Sequence, residues 1–177
     1  MLTGLLVAVV VLALACALNL ALVLRLARIV RERPAAPTPG ASLPEIGAAL
    51  PAFTARTDGG RAVSSEDLAT GTALVAFLSA TCGPCHESLP QLRETALALR
   101  ETGAHAVAVV SAPVAAGADD MVRALGDGCE TIMAEGYSDA RFAPFGVSAY
   151  PTFLLYEQGR LVAATHMLGD LRLPVPA

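Results

Sequence analysis

Two uninterrupted apolar runs, separated by a long segment of helical periodicity, most constrain the fold of this chain. The runs are Thr72–Leu78 and Ala106–Val110, and continuous apolar stretches of this length are typical of strands buried on both faces of a sheet. The segment between them, Gly83–Glu101, has helical spacing. The residues that share its apolar face are Leu89, Leu92, Ala96 and Leu99. The pattern predicts a strand, a helix and a second strand.

The second half of the chain continues this alternation. A short helix is predicted at Asp119–Leu125, where it stops at a glycine that suits the position after a helix end. Thr152–Tyr156 and Arg160–His166 are predicted strands, joined by a Gln-Gly pair that favours a hairpin. Strands and helices in this order predict an α/β fold, a mixed sheet flanked by helices.

Composition excludes two broad classes. Apolar residues make up 54% of the chain and charged residues 16%, whereas disorder needs low hydrophobicity and high net charge. The net charge is −4 and every basic residue is an arginine. Because nucleic-acid binding usually needs a basic face, we expect no nucleic-acid partner.

The excess hydrophobicity lies at the N-terminus. Residues 2–24 carry no charge, and a helix of that length, at about 1.5 Å per residue, spans about 34 Å against a hydrocarbon core of about 30 Å. A cleavable signal peptide would need a basic start and a shorter apolar core. A lipoprotein site at Cys16 is also conceivable, but the chain stays apolar beyond it. We therefore predict an uncleaved membrane anchor.

Arginines and prolines separate this anchor from the rest. The basic residues are Arg25, Arg28, Arg31 and Arg33, and the prolines are 34, 37, 39, 44 and 51. Repeated prolines favour an extended, semi-rigid spacer. The predicted organisation is an anchor and basic flank at 1–30, a linker at 31–44, a globular domain at 45–170 and a tail at 171–177.

The sequence Cys82-Gly83-Pro84-Cys85 carries the chemistry. It follows a buried strand and opens a helix, and cysteines three residues apart in a first helical turn can form a disulfide with little backbone movement. Free N–H groups and the helix dipole at this position favour a thiolate, which is the species that attacks disulfides. Cys82 is the predicted nucleophile and Cys85 the resolving thiol. Pro84 lies in the first turn, where its missing N–H is not needed.

A metal site and a structural disulfide are the alternatives for this pair. A structural zinc site takes four ligands, usually from a second pair. Only Cys129 and the unpaired histidines 86, 105 and 166 remain, so we predict no metal. Cys129 is interpreted as a buried small apolar residue.

The stretch from Gly60 to Pro90 resembles membrane-anchored thioredoxin-like proteins, in particular TlpA-type thiol-disulfide oxidoreductases and the accessory thioredoxins of methylamine utilisation. The Cys-Gly-Pro-Cys motif matches, and Pro90 matches the proline that kinks the active-site helix. The segment around Tyr150 and Pro151 matches that family's cis-proline segment. The resemblance implies a thioredoxin-like fold, a cis Pro151 that faces the cysteines, and substrate pairing through backbone near Tyr150.

The chain departs from that family at several positions. The family carries Trp before the first cysteine, a buried acid or Asn six residues before that cysteine and, in many members, Glu three residues after the second. This chain has Thr81, Ala76 and Ser88 at those positions. His86 stands where a basic residue is common. The family also ends in a helix, but few residues follow Met167. We expect that helix to be short or missing and a sheet face to be left uncovered.

The sequence thus predicts a membrane-tethered thiol-disulfide oxidoreductase that reduces or isomerises protein disulfides without a bound cofactor. Its partners would be protein disulfides or dithiols and a separate membrane or extracytoplasmic electron donor. The Gly-Pro insert between the cysteines resembles that of reducing thioredoxins, and this resemblance favours reduction over oxidation. Alternatives are a non-catalytic adaptor or metallochaperone and a redoxin-type peroxidase. A peroxidase needs a Thr separated from the Cys by two residues, whereas Thr81 directly precedes Cys82, so these groups are misplaced for peroxide activation. The family implies an extracytoplasmic domain, although the arginine flank favours the opposite side.

Overall fold

A computed structural model describes residues 43–112 and 117–172, together with Leu6, Leu12, Leu14, Cys16 and residues 18–20. The predicted anchor and most of the predicted linker lie largely outside these residues, as does most of the predicted tail. Within the described part of the chain, no helix is both long and apolar enough to cross a membrane.

The described domain contains seven strands and three α-helices. The strands are β1 (Thr54–Arg56), β2 (Ala62–Ser64), β3 (Thr72–Ser79), β4 (His105–Ser111), β5 (Glu130–Ala134), β6 (Thr152–Glu157) and β7 (Arg160–Thr165). The helices are α1 (Ser65–Leu68), α2 (Gly83–Glu101) and α3 (Ala118–Leu125). Short 3₁₀ turns occupy Gly126–Gly128, Ala143–Phe145 and Leu168–Asp170.

Five of the strands form one mixed sheet in the order β5-β4-β3-β6-β7. β3 and β4 are parallel, and so are β4 and β5, whereas β6 pairs antiparallel with both β3 and β7. The β6–β7 turn has φ of 50° at Gln158 and 70° at Gly159, which is the left-handed conformation that tight hairpins favour. The predicted hairpin and the predicted α/β mixed sheet are confirmed.

Each face of the sheet carries its own apolar layer. The layer beneath α2 and α3, called here the helix-side layer, contains Leu74, Ala76, Leu78, Cys85, Leu89, Leu92, Met121, Phe153 and their neighbours. The opposite layer, beneath the β1–β2 hairpin and α1, contains Val75, Phe77, Val109, Ile132, Phe142, Phe145, Tyr156 and their neighbours. Because both faces are covered, the continuous apolar runs of β3 and β4 are buried on both sides.

Both edges of the sheet are covered by the N-terminal part of the domain. Beside β5, the N–H of Asp58 donates to the carbonyl of Thr131 at 2.8 Å. Beside β7, the N–H of Gly47 donates to the carbonyl of Leu161 at 2.7 Å. Neither β5 nor the short β1–β2 hairpin was predicted from the sequence. Covered edges leave fewer unpaired backbone groups for other chains to join.

The end of the domain differs from one expectation. After β7 the described residues form a single 3₁₀ turn at Leu168–Asp170, in line with a short or missing terminal helix. Leu168 and Leu171 are 5% and 8% exposed and pack into the helix-side layer. The expected uncovered sheet face was wrong for β3, β4 and β6, whose apolar side chains are all buried. These two leucines lie in the same layer as Ala163, the small residue of β7 that packs against it.

Candidate active site

The dithiol lies where β3 ends and α2 begins. Cys82 is the cap residue of α2, and its Sγ accepts the backbone N–H of Cys85 at 3.3 Å. Gly83 and Pro84 form the exposed start of the helix. The predicted strand–motif–helix arrangement is therefore present, with both sulfurs at the end of the sheet where β3 and β4 finish.

The two thiols have different surroundings. Cys82 is half-buried, whereas Cys85 is fully buried in the helix-side layer. Burial raises the pKa of the Cys85 thiol, and its contact with the Cys82 thiol raises it further. The backbone N–H of Ser79 donates to Cys85 Sγ at 3.4 Å and acts in the opposite direction, because it favours the thiolate. Cys82 is thus the thiol that a partner can reach.

The cis-proline segment faces the dithiol. The Tyr150–Pro151 peptide bond is cis, as the resemblance predicts. The Cys82 thiol donates to the carbonyl oxygen of Tyr150 at 3.5 Å. Pro151 is buried and Tyr150 is half-buried. The structure therefore brings together Cys82, Cys85 and Tyr150 from segments far apart in the sequence.

Pro90 lies inside α2 without ending it, and the helix continues to Glu101. It is exposed and stands one turn beyond the cysteines. As a proline, Pro90 removes one backbone N–H donor from the helix.

His166 holds the cis-proline segment, a contact that the sequence did not indicate. Its Nδ1 lies 2.9 Å from the Pro151 carbonyl oxygen and 3.1 Å from Thr152 Oγ1. Thr152 Oγ1 in turn donates to the carbonyl of Ala149 at 2.7 Å. Because a carbonyl oxygen can only accept, this hydrogen bond requires that Nδ1 carry an N–H, which it donates to the Pro151 carbonyl.

Tyr137 is a second residue that the sequence did not indicate. Its hydroxyl lies 2.7 Å from Ser79 Oγ and 2.9 Å from Thr81 Oγ1, and those two hydroxyls are 3.3 Å apart. The Tyr137 ring is 5.4 Å from the ring of Tyr150. One side chain therefore contacts both the turn that precedes Cys82 and the residue that precedes Pro151.

A small cavity of about 30 Å³ lies beside these tyrosines. It is lined by Phe77, Val109, Ser111, Tyr137, Asp139, Phe142, Ala143, Val147 and Tyr150. Ser111 Oγ and the Tyr150 hydroxyl, which both belong to this wall, are 3.5 Å apart. Burial raises the pKa of Tyr150, while the contact with Ser111 lowers it. The cavity has room for about one water molecule.

Polar groups near Cys85 are committed to the backbone. His86 Nε2 lies 2.9 Å from the Ala80 carbonyl, and the Ser88 hydroxyl donates to the Cys85 carbonyl at 2.8 Å. Ala76, which faces the same layer as Cys85, is fully buried. Glu87 is exposed. Among the described residues, no carboxylate hydrogen-bonds to the Cys85 sulfur, whose pKa is shifted by burial, the Cys82 thiol and backbone N–H groups.

Cys129 lies apart from the dithiol. It is buried, its thiol donates to the Ala106 carbonyl at 3.5 Å, and burial raises its pKa to about 12. The interpretation of Cys129 as a small apolar core residue is confirmed. Among the described residues, no three His, Cys, Asp or Glu side chains lie close enough together to hold a metal ion.

Comparisons with known proteins agree with this geometry. Residues 45–162 match the Redoxin family. A hypothetical protein from Sinorhizobium meliloti is 25% identical with a TM-score of 0.61, over 74% of this chain and 75% of that one. The thioredoxin domain of a thiol-disulfide oxidoreductase from Bacteroides vulgatus is 21% identical with a TM-score of 0.61, over 73% and 90%.

A secreted Mycobacterium tuberculosis disulfide oxidoreductase homologous to Escherichia coli DsbE is 17% identical with a TM-score of 0.55, over 65% of this chain and 83% of that one. Among curated proteins, none matches the chain in sequence. The family match covers most of the chain, and the similar structures share its sheet and helices. The chain therefore belongs to the Redoxin family, and its structural neighbours are thiol:disulfide interchange proteins with the thioredoxin-like fold.

Proposed function

We propose that this protein is a membrane-tethered thiol-disulfide oxidoreductase that reduces or isomerises protein disulfides through Cys82 and Cys85. The observation that carries the proposal is the pairing of a reachable thiol with a buried one, opposite a cis-proline segment. A reachable nucleophile and a protected resolving thiol are what a two-step exchange requires.

The reaction would proceed in two exchanges. The Cys82 thiolate attacks one sulfur of the substrate disulfide, a mixed disulfide forms, and the first substrate thiolate leaves and takes up a proton. Cys85 then loses its proton and attacks Cys82 Sγ, which releases the second substrate thiolate and closes the Cys82–Cys85 disulfide. The substrate gains the two electrons that the dithiol loses. A separate dithiol donor would restore the reduced protein.

Substrate binding would use the groove between Cys82 and the cis-proline segment. The Tyr150 carbonyl already accepts a hydrogen bond from the Cys82 thiol. An extended substrate segment could pair with backbone at Tyr150 and so place its disulfide against Cys82. The exposed Gly83 and Pro84 place no long side chain at the mouth of this groove.

Reduction of insulin disulfides in the presence of dithiothreitol tests the proposal. We expect the full-length protein to accelerate the reduction, Cys82→Ser to abolish the acceleration, and Cys85→Ser to accumulate mixed disulfides. Cys129→Ser is the matched control, since Cys129 is buried away from the site, and it should keep the activity. Full activity in Cys82→Ser would overturn the proposal.

The Redoxin match makes a peroxidase the second candidate. Ser79 precedes Cys82 with two residues between them, the spacing that such an enzyme uses for a hydroxyl. Its Oγ, however, contacts Tyr137 and Thr81. Among the described residues, the contacts of Cys82 Sγ are with Cys85 and Tyr150. Consumption of hydrogen peroxide faster than insulin reduction would favour the peroxidase.

The cellular setting is part of the proposal. The uncharged residues 2–24 would anchor the chain and residues 31–44 would act as a spacer, with the redox domain outside the cytoplasm, where disulfides persist. The Mycobacterium tuberculosis neighbour is described as secreted, which supports this side. Tight stoichiometric copper or zinc binding without disulfide turnover would instead favour a metallochaperone.

A further inference from the structure

Ser79 joins the resolving sulfur to the opposite face of the sheet. Its backbone N–H donates to Cys85 Sγ at 3.4 Å, while its side chain turns to the other face of the sheet and meets Tyr137. Ser79 is only 2% exposed. This N–H lowers the pKa of the Cys85 thiol against the effect of burial, as does the backbone N–H of Cys85 itself, to a smaller extent.

The Tyr137 hydroxyl fixes both ends of the turn that contains this N–H. It lies 2.7 Å from Ser79 Oγ and 2.9 Å from Thr81 Oγ1. The N–H of Thr81 also donates to Ser79 Oγ at 3.3 Å. The three hydroxyls thus hold the chain from the end of β3 to the residue before Cys82.

The segment that carries Tyr137 is itself firmly held. Asp139, whose side chain is 5% exposed, accepts the backbone N–H groups of Glu135 at 2.9 Å and Arg141 at 3.0 Å. The Arg141 guanidinium also donates to the Met133 carbonyl at 3.2 Å. Tyr137 lies between these contacts, so its hydroxyl is presented from a fixed loop.

We propose that Tyr137 is a positioning residue for the resolving step, which holds the Ser79 N–H against Cys85 while Cys85 attacks the mixed disulfide at Cys82. This inference rests on the proposed function. The bond that breaks joins Cys82 to the substrate, the bond that forms joins Cys82 to Cys85, and the leaving thiolate and solvent share the proton that Cys85 loses. Attack by Cys82 itself does not use the Ser79 N–H.

The two steps can be observed separately with dithiobis(nitrobenzoate) and the full-length protein. Attack by Cys82 releases one coloured thionitrobenzoate, and resolution by Cys85 releases the second, so stopped-flow absorbance gives both rates. All rates are measured in a background that carries Cys16→Ser and Cys129→Ser, so that Cys82 and Cys85 are the only thiols that react. In that background, Cys85→Ser identifies the second release by removing it. Tyr137→Phe deletes the hydroxyl and keeps the ring against Tyr150.

Tyr137→Phe removes the hydroxyl contacts to both Ser79 and Thr81. We expect it to slow the second release by about three- to tenfold, the scale of one hydrogen bond's net contribution, and to change the first by less than twofold. Ser79→Ala removes the Ser79 hydroxyl that contacts Tyr137, and it should slow the second release to a similar extent. The double variant should be no slower than the slower single variant, because the two residues act as one unit. Tyr156→Phe removes a tyrosine hydroxyl from the layer on the face of the sheet opposite α2 and α3, away from the sulfurs, and should change neither rate.

Two results would overturn the assignment of Tyr137. One is an unchanged second release in both Tyr137→Phe and Ser79→Ala; the other is equal slowing of both releases, which would indicate a general structural role. If Tyr137→Phe does not fold, Ser79→Ala decides the question alone. A second release that survives Cys85→Ser would instead refute the proposed function, so the two failures are distinguishable.

Discussion

Resolution by Cys85 is predicted to be slow because, in the part of the chain that the structure describes, no carboxylate hydrogen-bonds to its sulfur to accept the proton, and Ala76→Asp should accelerate it. Ala76 is fully buried in the same layer as Cys85 and pairs across the sheet with Ala108 and Phe153. A carboxyl placed there would have its own pKa raised by burial toward neutrality, where it can accept the Cys85 proton.

The size of the effect follows from the ionisation of Cys85. A free thiol with a pKa of about 8.5 is about 3% ionised at pH 7, and each further unit of pKa lowers that fraction about tenfold. Because burial raises the pKa of Cys85, native resolution should keep accelerating with pH beyond the range of a free thiol. General bases contribute roughly 10²–10⁴-fold, and an unoptimised carboxyl should give about tenfold at pH 7.

The assay is the stopped-flow decay of a mixed disulfide on Cys82, followed from pH 5 to pH 10. Ala76→Asn is the matched control, since it places a polar group of similar size without a proton acceptor. Both variants bury a polar group, at a cost of roughly 1–3 kcal/mol of stability, which urea unfolding would measure. Near pH 7, only Ala76→Asp should resolve the mixed disulfide faster than the native protein does.

Two results would refute this reasoning. The first is a native rate that already shows an inflection near pH 6–7, removed by Glu87→Gln or His86→Ala, because the chain would then have its own relay. The second is equal acceleration by Ala76→Asn and Ala76→Asp, which would show that loosened packing, rather than proton transfer, increases the rate.

Three further predictions test sidedness, packing and thiol selectivity. An impermeant maleimide should label Cys82 in intact cells; protection until lysis would place the domain in the cytosol. Leu168→Ala should lower the free energy of unfolding by roughly 2–4 kcal/mol, because it opens a cavity in the helix-side layer. Leu97→Ala, at a side chain that is 41% exposed, should lower it less. Equal losses of stability in urea unfolding would contradict the buried packing of Leu168. Because burial raises the pKa of Cys129 to about 12, iodoacetamide at pH 8 should modify Cys82 far faster than Cys129 in the native protein, and comparable rates by mass spectrometry would contradict that burial.

The elements that the sequence predicts well are those with long, clear periodicity. The helix expected at Gly83–Glu101 has those bounds in the structure, and the one expected at Asp119–Leu125 begins one residue earlier. β3 and β4 were recognisable because both faces are apolar. The stretch Glu130–Ala134 was missed, since five residues of mixed polarity carry no strand period, and β1 and β2 are shorter still.

The dithiol was recognisable because its chemistry is local, whereas its supporting contacts are not. Cys82 and Cys85 are neighbours in one helical turn, so their spacing is visible in the sequence. Tyr137 lies 58 residues from Ser79, and His166 lies 15 residues from Pro151. Neither residue belongs to a recognisable sequence motif. Their contacts arise because the fold brings the end of β3, the loop after β5, the start of β6 and the end of β7 together.

The central claim is that Cys82 and Cys85 form one reversible redox couple. Equilibration of the full-length protein in buffers of graded redox potential, followed by acid quench and mass spectrometry of the cysteine peptides, tests this most directly. We predict a single two-electron transition in which Cys82 and Cys85 lose two hydrogens together and Cys129 stays reduced, at a potential near the roughly −270 mV of thioredoxin. Independent oxidation of the two cysteines, or a disulfide that involves Cys129, would contradict the account.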